Sequence, residues 1–332
     1  MKYSKPWRSH DEQLNLLIER GMVVTDKRWA LEQLDRIGYY RLSGYWHVLR
    51  ERSGPLCLLD EHGKKSKRGP ADTLALDAFR TGATFQHAVD LYVFDKRLRL
   101  LVLDALERIE VALRVDVSHT LGKLDPFAYL KPDLFHEKFS VALDKRKGVT
   151  AHHEWLTKHA RLIEHSKEDF VKHNRAKYGY PLAIWVACEV WDFGTLSHLY
   201  GGMREFEQDA ISLRYGVSNG RKFASWLRSL NYLRNVCAHH GRLWNRNIVD
   251  WPSLPPSGEL EWLSAFENAS LNEGPRRCFL LLMILRHLML MIYPHSTWPD
   301  RVKEHLQAFP GLSHLGLDLA SMGAPQGWES YW

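Results

Sequence analysis

The 332-residue chain is 45% hydrophobic and 25% charged, the balance of a folded globular protein rather than a disordered one. Lys and Arg total 45 against 39 Asp and Glu, a net charge of +6 with 18 His in reserve, which favours a polyanion such as nucleic acid over a membrane surface. Cys57, Cys188, Cys237 and Cys278 form no close pair, which argues against a zinc knuckle or a disulfide framework and suits a reducing cytoplasm.

Met1 to Trp7 carries no apolar leader, so the chain is expected to remain in the cytoplasm. Nearly every periodic segment that follows reads as helix. Ser9-His10-Asp11-Glu12 is a capping box ahead of Leu14, Leu17 and Ile18, with Gly21 closing that helix. A second helix is expected from Thr25 to Gly38, before an aromatic patch over Tyr39 to Trp46. Over 51–72, Gly54-Pro55 and Gly69-Pro70 bracket a Lys- and Arg-rich run, an excursion that reads either as a solvated loop or as a clamp on a phosphate backbone.

Thr84 starts the longest pattern, reaching about Leu121, with Leu91, Phe94, Leu98, Leu101, Ala105, Ile109 and Ala112 at helical spacing. Lys96, Arg97, Arg99, Glu107, Arg108 and Glu110 are assigned to its other, charged face. An irregular crossover over Asp125 to Phe139 precedes helices at His152 to Lys177, Leu182 to Val190, Thr195 to Tyr200 and Glu205 to Tyr215. Ser218 is expected to cap a helix running to Arg242. After the Pro-rich link at Trp251 to Pro256, helices are expected near Glu259 to Ala269 and Pro275 to Tyr293. The apolar run from Cys278 to Tyr293 is shorter than the roughly 20 residues of a membrane span, and Arg286-His287 interrupt it. The reading is therefore all-α, one domain over 1–300 with a peripheral tail over 301–332.

The densest chemistry lies in Asn231-Tyr232-Leu233-Arg234-Asn235-Val236-Cys237-Ala238-His239-His240-Gly241-Arg242-Leu243-Trp244-Asn245-Arg246, which holds a possible general acid/base, phosphate-binding cations and amides, with no carboxylate. Arg followed five residues later by His occurs twice, Arg114 to His119 and Arg234 to His239, about as often as chance placement allows. Context separates them. At about 100° per residue, Phe223, Trp226, Leu227, Leu230, Leu233 and Cys237 form one apolar stripe, while Arg221, Arg228, Asn231, Asn235, His239 and Arg242 share the far side. A solvated helix face usually mixes Glu with Lys; this one offers only donors suited to phosphate and sugar oxygens.

On this wheel Asn235 can orient the His239 imidazole. Arg234 falls inside the apolar stripe, which demands a carboxylate partner or a pocket there. Arg234 and His239 are about 140° apart, so a composite site between two copies of the chain is expected. Arg114 and His119, near Glu110 and Asp116, read instead as structural helix-end charges.

Arg234-Asn235-Val236-Cys237-Ala238-His239 resembles the signature of the HEPN ribonucleases: Arg, a polar residue, three to five more residues, then His. The chain resembles more specifically the Abi-like (AbiD/AbiF) family of bacterial abortive-infection proteins. Three blocks carry this likeness: Ile37 to Trp46; Tyr92 to Leu101 with Glu107 to Arg114; and Leu233 to Arg246.

The resemblance implies a HEPN-like helical bundle, RNA as substrate, metal-independent cleavage without a cofactor, and a role in phage defence. In some relatives a small noncoding RNA is a partner, in the manner of a toxin-antitoxin system. Arg234, His239 and Asn235 take the catalytic positions. In such a reaction the ribose 2'-hydroxyl attacks phosphorus to leave a 2',3'-cyclic phosphate, with His239 exchanging protons and Arg234 neutralising the transition state. Arg228, Asn231, His240, Arg242, Asn245 and Arg246 are candidates for backbone contacts, and Tyr232 and Trp244 for base stacking; each also has a structural reading. His152-His153-Glu154 with His159 lacks HExxH spacing and reads as a surface cluster. The rival from another class is a non-catalytic RNA-binding regulator that keeps the fold.

Overall fold

The computed structural model describes residues 5–54, 73–267 and 276–332. These fall into two compact units, Met1–Arg97 with His305–Leu319 and Leu98–Glu304 with Ala320–Trp332. Residues 55–72 of the expected basic excursion, with Cys57, lie outside the described residues.

In the first unit, α1 (His10–Glu19) begins at the expected capping box: Ser9 Oγ accepts from the Glu12 N–H while Glu12 accepts from the Ser9 N–H. Helix α2 (Lys27–Ile37) starts two residues later than Thr25, because Asp26 caps the Trp29 N–H at 2.9 Å. The aromatic patch is itself a helix, α3 (Tyr39–Trp46), whose Leu42, Tyr45 and Trp46 are buried. A two-stranded antiparallel sheet follows, β1 (Arg50–Arg52) and β2 (Ala75–Phe79), with Arg50 opposite Phe79 and Arg52 opposite Ala75. Glu51 and Arg52 fall at the start of the expected 51–72 excursion, since Arg-Glu-Arg shows no apolar alternation; their strand is made by a partner more than twenty residues away.

The longest element is α4 (Phe85–Leu124), and the division between units falls within it. Leu91, Phe94, Leu98, Ala105 and Ile109 are buried as expected, and Val102, Leu106, Leu113, Val117 and Leu121 join them. Arg99, assigned above to the charged face, is instead 4% exposed.

The second unit continues through α5 (Glu137–Ser140), α6 (Ala151–His165), α7 (Asp169–Tyr178), α8 (Ile184–Ala187), α9 (Phe193–Gly202), α10 (Glu205–Arg214) and α11 (Gly220–Ala238). Helix α11 packs on α9, α10 and α13 (Phe279–Ile292), after a short α12 (Ser264–Glu267). Helix α14 (Trp298–Gln307) occupies part of the stretch read as a tail. It is not peripheral: Trp298, Val302 and Leu306 are buried on one face, and Trp298 Nε1 donates to the Leu101 carbonyl at 2.7 Å.

The chain is thus all-α apart from the small sheet, and among the described residues no helix is long and apolar enough to cross a membrane. The histidines read as a surface cluster are partly interior. His152 is bonded to the Tyr129 carbonyl at 2.7 Å, and His159 Nδ1 accepts from Trp191 Nε1 at 2.9 Å.

Candidate functional site

Helix α11 begins one residue later than expected, because Asn219 Oδ1 caps the Lys222 N–H at 3.0 Å while the Ser218 N–H goes to Glu259. Such a cap contributes about 1 kcal/mol. The apolar stripe of Phe223, Trp226, Leu227, Leu230, Leu233 and Cys237 is buried throughout, and each large side chain in it contributes roughly 1.5–3 kcal/mol. Burial of that stripe fixes which face remains open: Arg221 and Arg228 are exposed and Asn231 and Asn235 half-buried.

The helix stops at Ala238 rather than Arg242. His239 is the C-cap, with φ −89° and ψ 15°. His240 turns left-handed at φ 56°. Its N–H donates to the Cys237 carbonyl at 3.1 Å, and the Gly241 N–H to the Val236 carbonyl at 2.8 Å. This is the Schellman closure, with histidine where glycine usually sits. Gly241 comes next because a Cβ there would stand 3.2 Å from the Val236 carbonyl.

His239 and Arg242 therefore leave the helical lattice, and the 140° separation computed on it no longer describes Arg234 and His239. His239 and His240 are exposed at the helix end and Arg242 is half-buried. Asn235 does not orient the imidazole by a hydrogen bond among the described residues; its Oδ1 accepts from Arg234 Nη1 at 3.4 Å.

Half-buried Arg234 interacts electrostatically with Glu110 of α4. Burial raises the Glu110 pKa, while Arg114 and then Arg234 pull it down. Arg234 makes no ion pair with Glu110 or any other carboxylate among the described residues; its charge acts on Glu110 only at longer range, and Arg114 is the direct partner. Arg114 pairs with Glu110 at 2.8 Å and donates to the Trp191 carbonyl at 2.9 Å. That is a structural tie, made by an i,i+4 pair within α4 rather than at its end, and His119 is exposed.

The residues after the turn divide into two groups. Arg246 Nε donates to the Tyr232 hydroxyl at 2.8 Å and its guanidinium lies 5.8 Å from that ring's centre, so these two are brought together. Trp244 is fully buried, which leaves no ring face for a stacked base, and its carbonyl accepts from Cys278 Sγ. Asn245 is also interior, 9% exposed, with its carbonyl held by Arg277. Burial chiefly, and then neighbouring Arg242, lowers the Arg277 pKa.

Sequence reasoning missed Arg99, whose Nη1 donates to the Gly241 carbonyl at 3.3 Å. A signal existed: at about 100° per residue, Arg99 falls beside Leu106 and Val117 rather than on the solvent side. Among the described residues no group of three or more His, Cys, Asp or Glu is placed to hold a metal ion.

The chain matches the family model described as Abi-like protein over residues 32–245, more than half its length. The chain belongs to the Abi-like protein family. The match contains α4, α11 and the closing turn, the elements that build the candidate site of this Abi-like chain. Membership points to a role in abortive infection. No curated protein and no solved structure matches the chain.

Proposed function

We propose that this Abi-like chain is an endoribonuclease of the HEPN type, acting in anti-phage defence. The observation that carries this reading is the end of α11: His239 is exposed at the C-cap on a turn tied by Arg99, while Arg234 lies half-buried just over one turn earlier. An accessible base and a cation beside it are the two parts that RNA transesterification needs from a protein.

The ribose 2'-oxygen forms the new bond to phosphorus as the P–O5' bond breaks. His239 takes the 2'-hydroxyl proton, and the 5'-oxygen leaves as a hydroxyl after receiving a proton. Arg234 neutralises the charge gathered on the nonbridging oxygens. The proton given to the 5'-oxygen needs a second, acidic group, and His239 of a second copy, entering the reaction protonated, supplies it; this is the proposed composite site of a homodimer. Arg228, Asn231, His240, Arg242 and the hydrogen-bonded Tyr232–Arg246 pair then hold the strand.

The test is a denaturing gel of labelled RNA incubated with the full chain in EDTA, beside His239→Ala and Arg234→Ala. Cleavage by the wild type to 2',3'-cyclic phosphate ends, lost by at least about a hundredfold in either variant, supports the reading. Equal RNA binding by all three proteins without cleavage replaces it with the RNA-binding regulator.

A further inference from the structure

We propose that the groove along the open face of α11 binds the phosphodiester backbone of single-stranded RNA and leads it to the His239 turn. The inference rests on the ribonuclease reading for the identity of the strand, and on charge and shape for everything else.

Two clefts of about 560 and 700 Å³ adjoin, sharing His136, Lys138, Gly201 and Arg228. The first extends to Arg221 and Ala224, the second to Asn231. On α11 these positions and Asn235 follow one another at steps of three or four residues, so they form a single line. From Arg221 to Asn235 that line is roughly 21 Å long at the helical rise, and it ends one turn before His239.

The groove is a built feature. Phe139 of α5 sits against Gly202, where a Cβ would come within 2.5 Å of its ring. The Phe139 N–H donates to His136 Nδ1 at 3.1 Å, and His136 Nε2 lies 2.9 Å from the Gly201 carbonyl. The buried Gln208 amide donates to the carbonyls of Tyr200, Gly201 and Met203 at 2.9–3.1 Å. These bonds hold the end of α9 as a wall. At Gly201 itself a Cβ would meet nothing within 4 Å, so that position opens on empty space.

Charge selects the occupant. Arg221 is paired with Glu205 at 3.2 Å and Lys158 with Asp192 at 2.8 Å. The side chains of Lys138 and Arg228, both exposed, have no ion pair or hydrogen bond among the described residues. Two uncompensated cations shared by both clefts, with the Asn231 amide between them and the turn, suit spaced phosphates on a flexible strand. Glu137, Glu205 and Asp250 also line the clefts, so attraction is concentrated at the shared centre.

The experiment uses the full chain carrying His239→Ala, so that no RNA is cut, and a labelled single-stranded RNA of about 12 nucleotides, within the usual span of such sites. Fluorescence anisotropy in EDTA is measured over a range of salt. Lys138→Ala with Arg228→Ala should weaken binding about tenfold and flatten the slope of log K against log salt by about 1.4, or about 0.7 for each lost phosphate. Gly201→Trp should weaken binding comparably at undiminished urea stability, since it fills the groove without removing a charge. Single-stranded DNA of the same sequence should bind equally, because the groove contacts phosphate rather than the 2'-hydroxyl.

Parental affinity in both the double variant and Gly201→Trp overturns the proposal. So does competition by polyglutamate as strong as by unlabelled RNA, which assigns the groove to an acidic protein. Groove variants that lose RNA binding in a protein that cuts no RNA leave the groove standing and remove the ribonuclease reading. Cleavage by Lys138→Ala/Arg228→Ala with unchanged KM does the reverse.

Discussion

The Arg99 guanidinium of α4 donates to the main-chain carbonyl of Gly241, 142 residues further along the chain. Arg99 is 4% exposed, so a charge is held in the interior to fix the turn that displays His239. A hydrogen bond from a charged group is worth about 1.5–3 kcal/mol, and more is lost when its acceptor stays buried. Arg99→Ala should lower unfolding free energy by at least about 2 kcal/mol, measured by urea titration. Arg99→Lys should not restore it, since an ammonium lacks the planar fork. Wild-type stability in Arg99→Ala would show that the tie carries no weight.

His240 is the one residue other than glycine with positive φ among the described residues. Left-handed backbone costs a non-glycine residue about 1–2 kcal/mol, and glycine escapes that cost at the price of a freer unfolded chain. His240→Gly should therefore raise stability by about 0.5–1 kcal/mol, seen as a higher urea midpoint at an unchanged slope. A lower midpoint would mean that the imidazole makes contacts worth more than the strain.

Adjacent glycines in α9 should respond oppositely to alanine. A Cβ at Gly202 would stand 2.5 Å from the Phe139 ring, whereas one at Gly201 would meet nothing within 4 Å. Gly202→Ala should cost about 1–3 kcal/mol through overpacking. Gly201→Ala should be neutral or stabilising by up to about 1 kcal/mol, from helix propensity. Thermal melts of the pair decide it, and equal shifts would refute the packing described.

Burial lowers the His159 pKa to about 4, well under the ordinary imidazole value of 6.5. The unfolded chain then binds more protons than the folded one between those values. Stability is full above about pH 6.5 and falls as pH drops towards 4, by on the order of 3 kcal/mol from this residue alone. His152, His287 and His305 are shifted the same way, chiefly by burial, and steepen the decline. In His159→Gln, whose amide oxygen can still accept from Trp191, the loss of stability between pH 7 and 4 should shrink by about that amount. An unchanged pH profile, measured by urea titration at each pH, would refute the burial argument.

Much of α11 was legible because its signal is periodic and local. Six apolar residues at helical spacing specify one buried stripe, and the same count assigns Arg221, Arg228, Asn231 and Asn235 to the open side. Trp244 and Asn245 were misread because a motif lying past a helix end has no period to give its side chains a direction. The β1–β2 pairing escaped for a related reason: Arg50–Arg52 has no alternation of its own, and its partner strand lies beyond the basic excursion.

The sequence by itself determined the all-α class, the capping box of α1, the stripe of α11 and the blocks that place the chain among Abi-like proteins. Each is written in neighbours a few residues apart, where backbone geometry converts spacing directly into direction. Only the tertiary structure decided that α11 ends at Ala238, that Arg99 turns inward to Gly241, that Glu110 feels the charge of Arg234, and that Lys138 and Arg228 line the same clefts. The last three join residues tens to more than a hundred positions apart, set by long-range packing and buried charge; the helix end is a local turn whose left-handed His240 no periodic pattern announces.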